Sequence, residues 1–160
     1  MEMVKAMGAT PTPISWLELY SALQTGVVDG QENPVLNIQY LKAQEVQEFL
    51  TLDGHIFLIN VWSVNEDWYQ DLPESIKISI AEAATMATLV CRGVSELSNT
   101  LGVGELQEAG MQVYAPSATE LAEFREVTQE AVIPWVRDNV SDPAWLDRLQ
   151  QAVAQAETKF

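Results

Sequence analysis

The chain has 160 residues and a net charge of −15, from 23 acidic against 8 basic side chains. Apolar residues make up 48% and charged residues 19%, so the chain has the composition of a folded domain with a real core. The acidic balance excludes nucleic acid as a natural partner, because phosphate binding needs clustered Lys and Arg.

Cys91 is the single cysteine, so no intrachain disulfide can form, and its apolar flanks predict a small buried hydrophobe and not a nucleophile. No run of 18 apolar residues is present, which argues against membrane insertion, and no signal-peptide pattern is read.

Taken in order, Met1 to Met7 reads as helix, with Met3, Val4 and Met7 apolar and Gly8 as the stop. Pro11-Thr12-Pro13 is an extended connector. Ser15 with Glu18 spells a capping box for a helix over Trp16 to Gln24, whose apolar face is Trp16, Leu19 and Leu23. Thr25-Gly26 ends it. Val27-Val28 then precedes the polar cluster Asp29-Gly30-Gln31-Glu32-Asn33, closed by Pro34. Polar side chains so close to apolar ones need partners, and the cluster is either a tight structural turn or the lip of a ligand site. Asn33-Pro34 has the form of a helix start, a capping Asn and then Pro at the first helical position, with helix to about Leu41.

Val46 to Trp62 is strand-like, and the continuous apolar run Ile56 to Ile59 predicts a strand covered on both faces. Asn65-Glu66-Asp67 starts a short turn or helix carrying Trp68 and Tyr69. Pro73 opens the longest helix, with Ile76, Ile80, Ala83, Ala87, Val90, Val94, Leu97 and Leu101 in unbroken three-to-four spacing; Gly102 to Gly104 should end it. Gly110 to Tyr114 is a strand. Ser117 with Glu120 is a second capping box, before a helix that Pro134 should kink near its end. Asp142-Pro143 starts the last helix. Trp135 and Trp145, on amphipathic faces, are expected in the core, while Trp16 at a loop-to-helix boundary suits core and cleft equally. The elements make a helix-rich α/β pattern with few strands and no internal repeat.

No catalytic constellation survives inspection: there is no P-loop, no nucleophile elbow, no metal-ligand spacing and no second histidine, so neither an enzyme nor a metal or cofactor site is expected. For His55, a hydrogen-bonded structural role outweighs a ligand or metal contact. Asn33 has two readings. It is a helix cap, or its amide turns away from the cap and meets a carboxylate at a helix start.

The runs Met7-Gly8-Ala9-Thr10-Pro11-Thr12-Pro13, Glu18 to Gly26 and Val27-Val28-Asp29-Gly30-Gln31-Glu32-Asn33-Pro34 resemble the DctP-type solute-binding proteins of tripartite ATP-independent periplasmic (TRAP) transporters. The resemblance implies a periplasmic-binding-protein-like α/β fold, here one lobe nearly complete, part of a second lobe and a long lobe-spanning helix. It divides the chain into residues 1–59, the first segment of the ligand-binding lobe; 60–99, a piece of the other lobe with the connecting helix; and 100–160, the return to the first of these. It implies a periplasmic subunit that closes on a small organic anion and hands it to membrane permease subunits.

Residue by residue, Asn33 matches the family asparagine whose amide meets the ligand carboxylate, and Trp16 matches an aromatic position lining the cleft. Gln31 and Glu32 match the signature near the hinge with weaker ligand claims, and the region from His55 to Asn60, running toward the other lobe, is expected to add a contact. The family's carboxylate-gripping arginine falls ahead of Met1 in this alignment of motifs, and Arg92, Arg125, Arg137 and Arg148 match no ligand position. The expectation is therefore a C-terminal half without its export signal; the alternative is a non-binding fragment or a self-associating interaction module.

Overall fold

The computed structural model describes residues 1–158, so the last two residues of the expected 100–160 segment lie outside the described residues. The chain forms two compact units, one made of Met1–Pro13 with the chain from Pro116 onward, the other of Ile14–Ala115.

The larger unit is built on a short parallel pair of strands, β1 (Phe49–Thr51) and β2 (Gln112–Tyr114), in the register Phe49–Gln112, Leu50–Val113, Thr51–Tyr114. Parallel strands need a crossover, and here it contains the chain's longest helix. Glu48 and Gln112 brace the entry to the pair, the Gln112 backbone N–H donating to the Glu48 carbonyl at 2.8 Å. The helices of this unit are Trp16–Gln24, Val35–Leu41, Glu66–Gln70 and Glu74–Glu108, numbered α2, α3, α4 and α5 in chain order after α1 (Glu2–Ala6), with α3 packed on α5 and α5 against β2. Ile38 from α3, Ala43 from the following 3-10 turn, Leu106 from α5 and Met111 form the buried centre, with Val35, Leu41 and Leu50 packed against it. On α2, Leu19 and Leu23 are buried as the helical spacing predicts, and Ala22 with them, whereas Trp16, expected on the same face, is exposed. The Tyr20 hydroxyl donates to Glu45 at 2.8 Å, tying α2 to the 3-10 turn and raising the phenol above its ordinary titration range.

The smaller unit consists of α1, α6 (Ala118–Asn139) and α7 (Ala144–Glu157), with α1 packed on α6. Arg125 to Glu157 at 3.2 Å and Arg137 to Asp147 at 2.7 Å join α6 to α7. The capping box at Ser117 forms as predicted: the Glu120 N–H donates to Ser117 Oγ, and the Ser117 N–H donates to Glu120 Oε2 at 2.7 Å.

Helix ends obey local chemistry. At Gly8, Gly26 and Gly110 φ is +82°, +72° and +103°, and each glycine N–H and the next N–H bond back into the last helical turn. That is the left-handed stop which glycine alone adopts without a Cβ penalty. Asn65 caps α4, accepting from the Trp68 N–H at 2.9 Å.

Several expectations fail, each for a tertiary reason. The glycines at Gly102 and Gly104 do not end α5, which runs unbroken from Glu74 to Glu108. Gly102 is buried against α3, where a methyl group would fall 2.8 Å from Val35 Cγ1. The glycine serves close helix packing. The Ser15 side chain makes no cap bond, so the first predicted box is not formed. Ile56 to Ile59 pairs with no strand and is 53%, 89%, 58% and 70% exposed in sequence order, contrary to the doubly covered strand expected. β1 ends at Thr51, and no strand is formed over residues 52–65. Trp135 and Trp145 are exposed and not core, because no residue of α6 or α7 is buried. Trp145 instead lies under the Arg148 guanidinium, 4.8 Å from its ring centroid. Cys91 is exposed, not buried. Along α5 only Gly102 and Leu106 are buried, and the expected apolar row from Ile76 to Leu101 faces outward in large part.

Candidate functional site

The polar cluster sits between the C-terminal stop of α2 and the start of α3. Gly26 turns the chain out of α2, and Pro34, with φ −57° and ψ 149°, is the residue that precedes the first helical position of α3. Asn33 is therefore one residue too early to cap α3, and no side chain caps it. Its amide is free to do something else. Asn33 Nδ2 donates to Gln31 Oε1 at 2.6 Å, and Asn37 Nδ2, one turn along α3, donates to Asn33 Oδ1 at 3.4 Å. The three amides form a directional chain, Asn37 to Asn33 to Gln31. Each amide nitrogen carries two hydrogens, so Asn33 keeps one N–H and Gln31 both for another acceptor. Gln47 closes the other side of the loop, its Nε2 reaching the Asp29 carbonyl at 3.5 Å and the Val46 carbonyl at 2.9 Å.

Glu32, between the two amides, points to a different part of the chain. Its Oε2 lies 3.4 Å from His55 Nε2, while His55 Nδ1 meets Asp53 Oδ1 at 2.7 Å. Gly54, between the two, has φ +58°, a left-handed backbone that glycine adopts without a Cβ penalty. His55 is thus hydrogen-bonded, as the structural reading of this residue required.

Of the five residues singled out in the sequence, four fall into two linked pairs, Gln31 with Asn33 and Glu32 with His55. The fifth, Trp16, opens α2 and is 38% exposed, and among the described residues no hydrogen bond joins it to the cluster. Sequence reasoning missed Asn37 and Asp53. Both had a signal: Asn37 stands one helical turn after Asn33, and Asp53-Gly54-His55 pairs a donor and an acceptor across a glycine.

No Lys or Arg of the described residues bonds to this cluster. The donors the loop offers an acceptor are the neutral amides of Asn33 and Gln31, while the carboxylates of Glu32 and Asp53 are engaged with His55. The arrangement offers hydrogen-bond donors and acceptors of the kind a polar small molecule uses. It holds no nucleophile with a base, and no group of metal-ligating side chains stands among the described residues. Among the described residues no helix is long and apolar enough to cross a membrane.

Residues 1–137 match the family described as DctP, bacterial extracellular solute-binding protein, family 7. The ectoine-binding periplasmic protein TeaA of Halomonas elongata is 35% identical over 142 residues, covering 81% of this chain and 42% of that protein. The C4-dicarboxylate-binding periplasmic protein DctP of Rhodobacter capsulatus is 32% identical over 132 residues, 82% of this chain and 37% of that protein. Among solved structures, a TRAP periplasmic solute-binding protein from Desulfovibrio salexigens with bound orotic acid superposes with a TM-score of 0.78 at 27% identity, over 94% of this chain and 49% of that one. The chain thus spans about two fifths to one half of the length of these relatives. Family and neighbours are binding proteins of transporters and not enzymes, and their fold is the periplasmic-binding-protein α/β fold. The chain belongs to the DctP family of TRAP-type extracellular solute-binding proteins.

Proposed function

We propose that this chain supplies one wall of the ligand cleft of an extracytoplasmic TRAP solute-binding subunit that captures a small organic acid in the periplasm for delivery to membrane permease subunits. The observation that carries the reading is the Asn33 amide, released from capping α3 and held by Gln31 and Asn37 with one N–H unspent. A fixed amide donor beside a helix start suits a carboxylate oxygen. Relatives named for a C4-dicarboxylate and seen with orotic acid support the ligand class. In this reading Asn33 and Gln31 donate to the ligand, Trp16 and Glu32 line the same wall, and His55 contributes indirectly through Glu32.

One wall without an arginine binds weakly, since most of a carboxylate's recognition by proteins comes from charge-assisted pairs. Titration of the 15N-labelled chain with succinate and orotate is expected to move the side-chain amide signals of Asn33 and Gln31 selectively at millimolar ligand, and Asn33→Ala to abolish the movement. Uniform or absent shifts would remove the basis of the reading.

A second reading, a self-associating module, is favoured by the exposed apolar residues Leu89, Val90, Val94, Leu97 and Leu101 along α5. Light scattering across a concentration series separates the two: a monomer throughout excludes the module.

A further inference from the structure

His55 is the only histidine in the chain, and two carboxylates from distant segments face its two nitrogens. Asp53, on the segment after β1, takes Nδ1 at 2.7 Å; Glu32, on the loop before α3, stands 3.4 Å from Nε2. The ring is sheltered, with 16% of its side chain exposed, and so is Asp53 at 20%, while Glu32 is open at 54%. Nε2 itself is buried and makes no hydrogen bond, although Glu32 is adjacent. Asp29, in the same loop as Glu32, engages Gln47 through its backbone carbonyl and not the ring.

The chemistry of an imidazole between two carboxylates has two states. A carboxylate only accepts, so Asp53 takes the Nδ1 hydrogen in either state. In the neutral ring, Nε2 then presents a lone pair to Glu32, and the two repel. In the imidazolium, Nε2 carries a hydrogen, and Glu32 accepts a charge-assisted bond. Only one of the two links therefore depends on the ring's protonation, and it is the one that joins separate stretches of chain.

We propose that His55 is a proton-gated latch: the imidazolium clasps the Glu32 carboxylate and ties the polar loop 29–33 to the segment after β1, and the neutral ring lets Glu32 go. Asp53 is the fixed anchor of the latch, Glu32 its moving part, and His55 a positioning residue that touches no ligand. With the ring an imidazolium the loop is held; with the ring neutral Glu32 is free to turn outward, where its exposure already places it. The latch needs no ligand, so its test and the succinate and orotate test fail separately.

The test is a pH series on the 15N-labelled chain, following the single set of imidazole signals and the backbone amides of residues 31–33. The expected result is that these amides shift in step with the ring, that His55→Gln abolishes their shift, and that Glu32→Gln, an exposed position, abolishes it while the ring still titrates. Amides that ignore the ring transition in the unmodified chain would overturn the latch. So would a transition that persists unchanged in Glu32→Gln, since the carboxylate would then not be the group held.

Discussion

Gly102 and Val35 set how closely α5 and α3 approach: a methyl group on Gly102 would fall 2.8 Å from Val35 Cγ1 and 2.5 Å from Gln39 Oε1. Real Cβ atoms do not come this close, and the β-branched Val35 has little rotamer freedom with which to yield. Gln39 is itself committed, donating to Glu105 at 2.6 Å. In an exposed helix interior, Gly→Ala gains about 0.5–1 kcal/mol, whereas overpacking a close contact costs about 1–3 kcal/mol. Gly102→Ala is expected to lower stability, and Gly104→Ala, with nothing within 4 Å of the added methyl, to raise it. Denaturant midpoints of the two variants should lie on opposite sides of the parent's; movement in the same direction would show that α3 does not press on Gly102.

The two serines ahead of α2 and α6 make a matched pair. Ser117 forms a reciprocal box with Glu120, and Ser15 makes no side-chain cap bond. Ser117→Ala should destabilise by about 1 kcal/mol, the usual worth of a cap, and Ser15→Ala by much less. Thermal unfolding of both variants checks this, and equal losses would contradict the observed difference in capping.

The Arg137–Asp147 pair makes the α6–α7 connection sensitive to acid. The hydrogen bond from Arg137 holds the Asp147 carboxyl below the usual carboxylate range, against a smaller opposing effect of desolvation. A depressed folded-state value means that the pair's contribution is present above the unfolded value and lost as pH falls through the folded one. Both side chains are largely solvated, so the contribution is in the small range of surface pairs. In Arg137→Gln the Asp147 carboxyl should titrate at higher pH than in the parent, as read from its side-chain 13C signal. An unmoved midpoint would mean that the guanidinium is not what holds it.

The parts of the fold legible in the sequence are those whose hydrogen bonds close within a few residues. Ser117 as a cap, Gly8 and Gly26 as left-handed stops, and the extent of α2 from Trp16 to Gln24 all follow the residues that spell them. The site was legible as a composition, polar residues crowded around Gly30, but not as a geometry. Whether Asn33 caps α3 or frees its amide turned on a single residue of register, with Pro34 and not Asn33 standing at the helix start.

By itself the sequence determined the local elements, the acidic balance, and the family to which the stretch from Met7 to Pro34 points, because each depends on residue types at short spacing. Only the tertiary structure decided what non-local packing decides. It placed α3 on Gly102, so that a residue which stops helices elsewhere lies inside one. It paired β1 with β2, and it left Ile56 to Ile59 exposed and outside any strand. It also carried His55 back to Glu32, a meeting that requires the whole of α3 and β1 to be folded between them. Bonds inside a turn follow from neighbours in the chain, while contacts between segments depend on which surfaces the assembled elements bring together.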